Sequence, residues 1–376
     1  MLWWEHKSGE PPPIEARKQA RWELYRVSPC FVRVGKREIN PMRKKLIMAT
    51  PAFLLLCCLF LPACGAGSPE DRVYTLKMST QLNEAHPLMD GLREWADNVA
   101  EQTDGGLIIE VFPSGQFGYD EDVIEQAMLG ANVGVLSDGW RMSNYVHELG
   151  IIGMAYIAND YDEALRITQT PTFAQWEQQL AEEDGLRILS FNWYDGARHF
   201  LTNTPVRTPD DLSGLRIRTP GAPVWVASVE SLGATPIAMG WGDAYNALQT
   251  GAIEGVEAQN TASYGGRMFE VVHYINKTAH FQLMNGIVVG NKWFSSLPAA
   301  YQTILIEECI AAGAKNAREV EELSDHYEQM MVDNGMEVVE VDMEAFRAAS
   351  EGAYEKLGFT ELRARLYDEI RNGKGE

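Results

Sequence analysis

From residue 73 onward the chain switches repeatedly between two hydrophobic periods, and this alternation constrains the fold more than any other feature. "VYTLKMST" (73–80) alternates apolar and polar residues with the period of two expected of a strand. "HPLMDGLREWADNVAEQTDGG" (86–106) then sets Leu88, Leu92, Trp95, Ala96 and Val99 at helical spacing and closes on Gly105-Gly106. "LIIEVFP" (107–113) returns to a strand, 120–132 reads as a helix and 133–139 as a third strand. Strand–helix–strand succession predicts an α/β architecture with parallel pairing, since a crossover helix brings the chain back to the same end of a sheet.

The rhythm persists to the C-terminus. A helix is expected over 161–185 with a break near Pro171, then a strand over 186–194. Residues 208–214 read as a short capped turn, with Thr208 as N-cap and Pro209 at the first helical position. Further strands are expected at 215–219, 234–239, 280–291 and 336–342, with 252–259 extended. Helices are expected at 222–233, 241–251 and 343–371, and one long helix runs from Pro298 to Asn334, closed by Gly335.

The first 63 residues differ from the rest. Arg43, Lys44 and Lys45 precede an apolar run from Leu46 to Leu61, which is the layout of a secretory signal and too short for a comfortable membrane span. "LPAC" (61–64) resembles a lipobox, so Cys64 is the expected lipidation and cleavage point, and 64–71 a tether. Residues 1–41 stand upstream of a complete signal starting at Met42 and are read as a mis-called N-terminal extension. The 313 residues from Cys64 on hold 21 Lys/Arg against 48 Asp/Glu, a net of −27. Such a surface has no basic stripe for nucleic acid. Cys309 is the one cysteine after Cys64, so no disulfide framework or zinc spacing is present.

Enzyme signatures are scarce: there is no Walker loop, nucleophile elbow or HExxH, and no enzyme activity or cofactor is expected. Arginines are more informative. In "DLSGLRIRTPG" (211–221 with Asp210 before it), Arg216 and Arg218 alternate with Leu215, Ile217 and Thr219 on a strand that Pro220 stops. Arg198 follows the expected strand at 186–194, next to Gly196. Each arginine alone reads as solvated, but a guanidinium can also grip a carboxylate with two parallel bonds. Trp193, Tyr194, Trp225, Trp241 and Tyr245 are candidates to wall such a site, or to pack in the core.

Three blocks carry a family resemblance. "GARHFLTNTPVRTPDDLSGLRIRTPGAPVWVASVESLGATPIAMGWGDAYNALQTGAIEGVEAQ" (196–259) resembles the signature region of the substrate-binding proteins of TRAP transporters, the DctP-like (C4-dicarboxylate-binding) family. "FPSGQFGYDEDVIEQAMLGANVG" (112–134) and "FEVVHYINKTAH" (269–280) are similar to two other family blocks, and the likeness covers roughly 72–370. The resemblance implies an α/β, two-lobed periplasmic-binding-protein-like fold with a ligand cleft between lobes and a long C-terminal helix. Lobe I is expected at 72–195 and about 284–323, and lobe II at 196–283 and about 324–376.

The same resemblance implies function and site. The family's main carboxylate-binding arginine falls on Arg218 and a second ligand arginine on Arg198, with the wall position on Trp241. Polar and acidic positions fall on Gln81 and Asp138, while Glu257 matches as a structural or hydroxyl-binding acid. Arg216 is expected at the surface. The segment "EGVEA" departs from the family's usual D-G-Q-E-N, so Ala258 stands where an asparagine is common and Gln259 or Asn260 is left to supply the amide. The implied role is capture of a small organic acid outside the cytoplasm, in the periplasm or at the cell surface, and delivery to the membrane subunits of a TRAP permease. A sensor lipoprotein signalling to a membrane receptor is the alternative. The protein is expected to be a monomer held at the membrane through Cys64, with no metal demanded by any ligand set.

Overall fold

Nine strands among the described residues join in one sheet: β1 (Tyr74–Ser79), β2 (Leu107–Phe112), β3 (Val133–Asp138), β4 (Leu186–Thr202), β5 (Arg216–Thr219), β6 (Thr235–Ala238), β7 (Gly255–Gln259), β8 (Tyr274–Gly290) and β9 (Glu337–Val339). The structure is a computed structural model that describes residues 72–372. The apolar leader, Cys64 and the tether therefore lie outside the described residues. The strand order is β2-β1-β3-β8-β4-β7-β5-β6, with β9 beside β8.

Parallel pairing holds in each wing, β1 with β2 and β3, and β5 with β6 and β7. The middle departs from the parallel expectation. There β8 runs antiparallel to β3 and β4, and β4 antiparallel to β7. The sheet is therefore mixed: apolar period identifies a strand, but its direction depends on which end the connecting segment returns to.

The two central strands have 17 residues each and pass through both wings. Tyr194 pairs with Met284 and Ala197 with Gln282, so β4 accommodates one extra residue at Asp195-Gly196. Gly196 has φ 108, a backbone state that glycine adopts at little cost. This bulge is why the period-two reading stopped at 194 although the strand continues to Thr202. On one side of it lie β2, β1 and β3 with the 186–194 part of β4, and on the other β7, β5 and β6 with the 197–202 part. The result is an α/β, two-lobed fold.

The α-helix Ala299–Asp333 ties the wings together. It buries Leu305, Cys309, Ala312, Ala317 and Val320, a stripe at helical spacing. At Gly313 a Cβ would lie 2.5 Å from Asn192 Oδ1, so glycine lets the helix approach β4. Toward its start, Leu305 O accepts from Trp95 Nε1 at 3.1 Å and Asn316 Nδ2 donates to Pro87 O at 3.0 Å. Toward its end, Ser324 O accepts from Asn260 Nδ2 at 3.3 Å and Glu328 meets Lys277 Nζ at 3.1 Å. Cys309 belongs to this packed stripe, and burial pushes its thiol up to about 12.

The expected helix over 343–371 is two helices, Met343–Leu357 and Thr360–Asn372, because Gly358 takes a left-handed φ of 74 and ends the first. Buried apolar side chains form a large group around Leu76, Trp95, Trp193 and Val288, and a smaller one around Leu201, Val256 and Ile275. Among the described residues no helix is long and apolar enough to cross a membrane.

Candidate functional site

The cleft lies where parallel strands end. Gln81 follows β1, Asp138 closes β3, Arg218 is next to last in β5, Trp241 follows β6 and Gln259 closes β7. Carboxyl ends of strands are where open α/β sheets bind ligands, because loops diverge there and leave a crevice. This cleft encloses about 380 Å³ and is lined by Gln81, Asp138, Arg198, Arg218, Trp241 and Gln259 together. Such a volume falls within the ordinary range for a small-molecule site. Glu257 stands behind Arg198, fully buried.

Arg218 is 4 % exposed, yet among the described residues its side chain makes a single hydrogen bond, from Nε to Met239 O at 3.0 Å. Its guanidinium carbon lies 5.3 Å from the Trp241 ring centre. No carboxylate pairs with it among the described residues. Burial pulls its pKa down to about 9; Glu257 works against that fall, while Arg198 and Arg141 add to it. Arg216 shares its strand face but sits at the other end of β5, half-exposed, with Glu254 as partner. One face of one short strand thus carries a surface arginine and a cleft arginine.

Arg198 is held from behind. Its Nε donates to Glu257 Oε2 at 2.6 Å, its Nη2 to the Glu257 carbonyl at 2.5 Å, and its Nη1 to Gln259 Oε1 at 2.5 Å. Burial alone would push the Glu257 carboxyl up, but Arg198 and His280 outweigh it and hold the group below its usual value. Gln259 Nε2 in turn donates to Asp195 Oδ2 at 2.6 Å, and His86 Nε2 lies 3.2 Å from Asp195 Oδ1. The guanidinium of Arg198 also lies 4.7 Å from the Trp225 ring centre. Ala258 points the other way, into the smaller apolar group. An asparagine there would face the core, and the strand presents Gln259 to the cleft instead.

A third arginine lines the same space. Arg141 donates from Nε to Glu121 Oε1 at 3.0 Å, lies 3.4 Å from Asp120 Oδ2 and pairs with Asp138 Oδ2. Asp138 also N-caps the helix Gly139–Met142, accepting from Arg141 N at 2.8 Å. Burial disfavours the Arg141 charge, but Asp138, Asp120 and Glu121 outweigh it and raise its pKa above the arginine range. Gln81 Nε2 reaches Gly118 O at 2.8 Å and Asp120 Oδ1 at 3.3 Å. Burial raises the Asp120 carboxyl to about 6 despite Arg141.

Several aromatic candidates belong elsewhere. Trp193 is core, its Nε1 on Ser190 Oγ; Tyr194 bonds Gln282; Tyr245 bonds Glu270 at the surface. Trp225 does line the cleft, stacked on Trp140 at 3.8 Å. Sequence reasoning missed Asp120, Arg141, Asp195 and Asn285, all in the lining. A signal existed for Arg141, which stands three residues after Asp138 at the start of a helix; Asn285, inside an apolar strand run, offered none.

The comparisons are consistent with one another. The sequence profile of bacterial extracellular solute-binding protein family 7, DctP, matches residues 78–360. A TRAP periplasmic solute-binding protein from Escherichia fergusonii, solved in an apo open form, is 37 % identical, with a TM-score of 0.72 over 79 % of this chain and 99 % of its own. One from Ochrobacterium anthropi, solved with bound L-fuconate, is 29 % identical with a TM-score of 0.76, over 79 % of this chain and 99 % of its own. A solute-binding protein of Sulfitobacter sp. (strain NAS-14.1) is 29 % identical over 263 residues, 69 % of this chain and 79 % of its own.

Proposed function

The chain belongs to family 7 of the bacterial extracellular solute-binding proteins, the DctP family, and from that premise we propose that it captures a small organic acid and hands it to a TRAP-type permease. The observation that carries the ligand class is Arg218, a buried guanidinium at the cleft with no carboxylate partner among the described residues. An arginine in that state gains most from an incoming carboxylate, which supplies two parallel charge-assisted bonds and replaces the water lost on burial. Bound L-fuconate in the Ochrobacterium anthropi relative, itself a carboxylate, supports the same class.

In this reading Arg218 anchors the carboxylate and Trp241 covers the carbon skeleton. Arg198, fixed by Glu257 and Gln259, lends positive potential and its remaining donor. Gln81 and Asp138 face hydroxyl groups. The lobes hinge at the β4 bulge near 195–196 and at 283–284 of β8, so that closure brings Arg218 and Trp241 toward Gln81 and Asp138, in the hinge manner of periplasmic binding proteins. The segment 42–63 acts as an export signal, with Cys64 the lipid anchor that keeps a monomer near its permease.

The test is a thermal-shift screen of the purified protein against about a hundred small organic acids, with mass spectrometry of the denatured protein for any acid it retained. At a hundred times its dissociation constant a ligand adds about 2.7 kcal/mol. An acid that shifts the wild type, or that is retained by it, supports the reading. No shift from any acid, with none retained by the purified protein, would refute it.

A further inference from the structure

We infer that the cleft selects acids with a single carboxylate on a hydroxylated body and discriminates against dicarboxylates; this deepens, and rests on, the carboxylate reading above. Few of the charges that line the cleft are free to act on a ligand. Three guanidinium groups line the cleft, but two are already neutralised. Arg141 is met by the carboxylates of Asp138, Asp120 and Glu121. Arg198 is met by both oxygens of Glu257. Arg218 alone among the three has no carboxylate partner among the described residues.

A second carboxylate on the ligand would therefore meet no uncommitted cation. It would instead lie among Asp138, Asp120 and Asp195, all buried and all in the lining. Like charges in a half-dry cleft repel strongly, because water does little to screen them. What the cleft does offer the rest of a ligand is neutral. Trp225 Nε1 and Asn285 Nδ2 are buried donors without a hydrogen-bond partner among the described residues, and both side chains line the cleft. Trp225 is 2 % exposed and Asn285 6 %, so neither donor meets water, and each reaches a ligand oxygen by a small turn of its side chain toward the cleft. Buried donors left unpaired are costly, and hydroxyl or ring oxygens of a polyol acid are suitable acceptors. Hydroxyl protons, in turn, find acceptors in Asp138 and Asp195.

The experiment is isothermal titration calorimetry on the full purified chain, unfolded and refolded once to remove retained ligand. The probes are D-glucuronate, D-galacturonate, D-gluconate and L-galactonate, set against D-glucarate, galactarate, L-malate and succinate. The expected result is that the best monocarboxylate binds at least ten-fold more tightly than the best dicarboxylate, equivalent to about 1.4 kcal/mol. Asn285→Ala, checked for an unchanged melting profile, should weaken that monocarboxylate at least five-fold. A dicarboxylate that binds as tightly or more tightly overturns the inference while leaving the carboxylate reading intact. Unchanged affinity in Asn285→Ala overturns the hydroxylated-body part. If no acid of either kind binds and none was released on unfolding, the carboxylate reading falls and this inference with it.

Discussion

Replacing Arg218 with methionine should move stability and affinity in opposite directions. The substitution keeps an unbranched side chain against Trp241 and removes the charge. In the unliganded protein that charge is 4 % exposed and unpaired by any carboxylate among the described residues, and burial pulls its pKa from 12.5 to about 9. That span corresponds to at most roughly 5 kcal/mol of unfavourable burial. Against it stand the lost bond to Met239 O, about 1 kcal/mol, and the lost ring contact with Trp241, about 1 kcal/mol. The unliganded Arg218→Met protein should therefore be more stable by about 2–3 kcal/mol, a rise in melting temperature of several degrees. Ligand affinity should fall by about 2–5 kcal/mol, from roughly 30-fold to several thousand-fold, the usual cost of truncating one partner of a buried charge pair. Differential scanning calorimetry without ligand and titration calorimetry with the acid found in the screen measure both. Wild-type affinity in the variant would show that the carboxylate is anchored elsewhere. A lower melting point without ligand would show that Arg218 has a partner after all and that burying its charge is not unfavourable.

Three further outcomes follow from the same geometry. Glu257→Ala leaves Arg198 buried without its carboxylate, so denaturant melts should show a loss of about 3–5 kcal/mol even without ligand. Asp120 is held up at about 6 in the folded protein, which therefore binds its proton more tightly than the unfolded chain does. Relative to Asp120→Asn, the wild type should gain stability as pH falls from about 6 toward 4, and at pH 7.5 the variant should be the more stable, by up to roughly 3 kcal/mol; parallel pH–melting curves would contradict this. Anion binding needs the charged form of Arg218, so affinity should hold between pH 6 and 8 and decline above about 9, approaching ten-fold per unit. Titrations that stay flat to pH 10.5 would show that the guanidinium keeps its proton throughout.

What the sequence made legible was periodicity, and through it the two parallel wings. Direction was not legible: β4 and β8 read as strands, but nothing local to them says that they run against β3 and β7. Length failed at Asp195, where a single inserted residue breaks the period while the strand goes on. The same bulge hid a site residue, because Asp195 and Arg198 are three apart and still both line the cleft. For β5 the pattern placed Arg216 and Arg218 on one face and could not rank them by depth; their positions at opposite ends of the strand do that. The local departure at Ala258 looked like a missing amide, whereas strand parity turns that position to the apolar side and brings Gln259 round. Committed charges were the hardest to read, since the partners of Arg141 come from two separate helix starts and those of Arg198 from a strand about sixty residues on.

The helix Ala299–Asp333 also bears on when the chain can fold. Trp95 and Pro87 complete their hydrogen bonds on Leu305 and Asn316, 210 and 229 residues later, and β3 has no neighbour on its inner side until β8 arrives. Each wing lacks part of its core contacts until the C-terminal third of the chain is present. Contacts of such long sequence separation are formed late and slowly, because the intervening chain must first be ordered. A chain cut before residue 299 would lack the stripe that covers β4, and should remain expanded and protease-sensitive rather than form a stable half. The architecture thus leaves both cores incomplete until nearly all of the polypeptide is available, a property that suits any chain that must be threaded across a membrane before it folds.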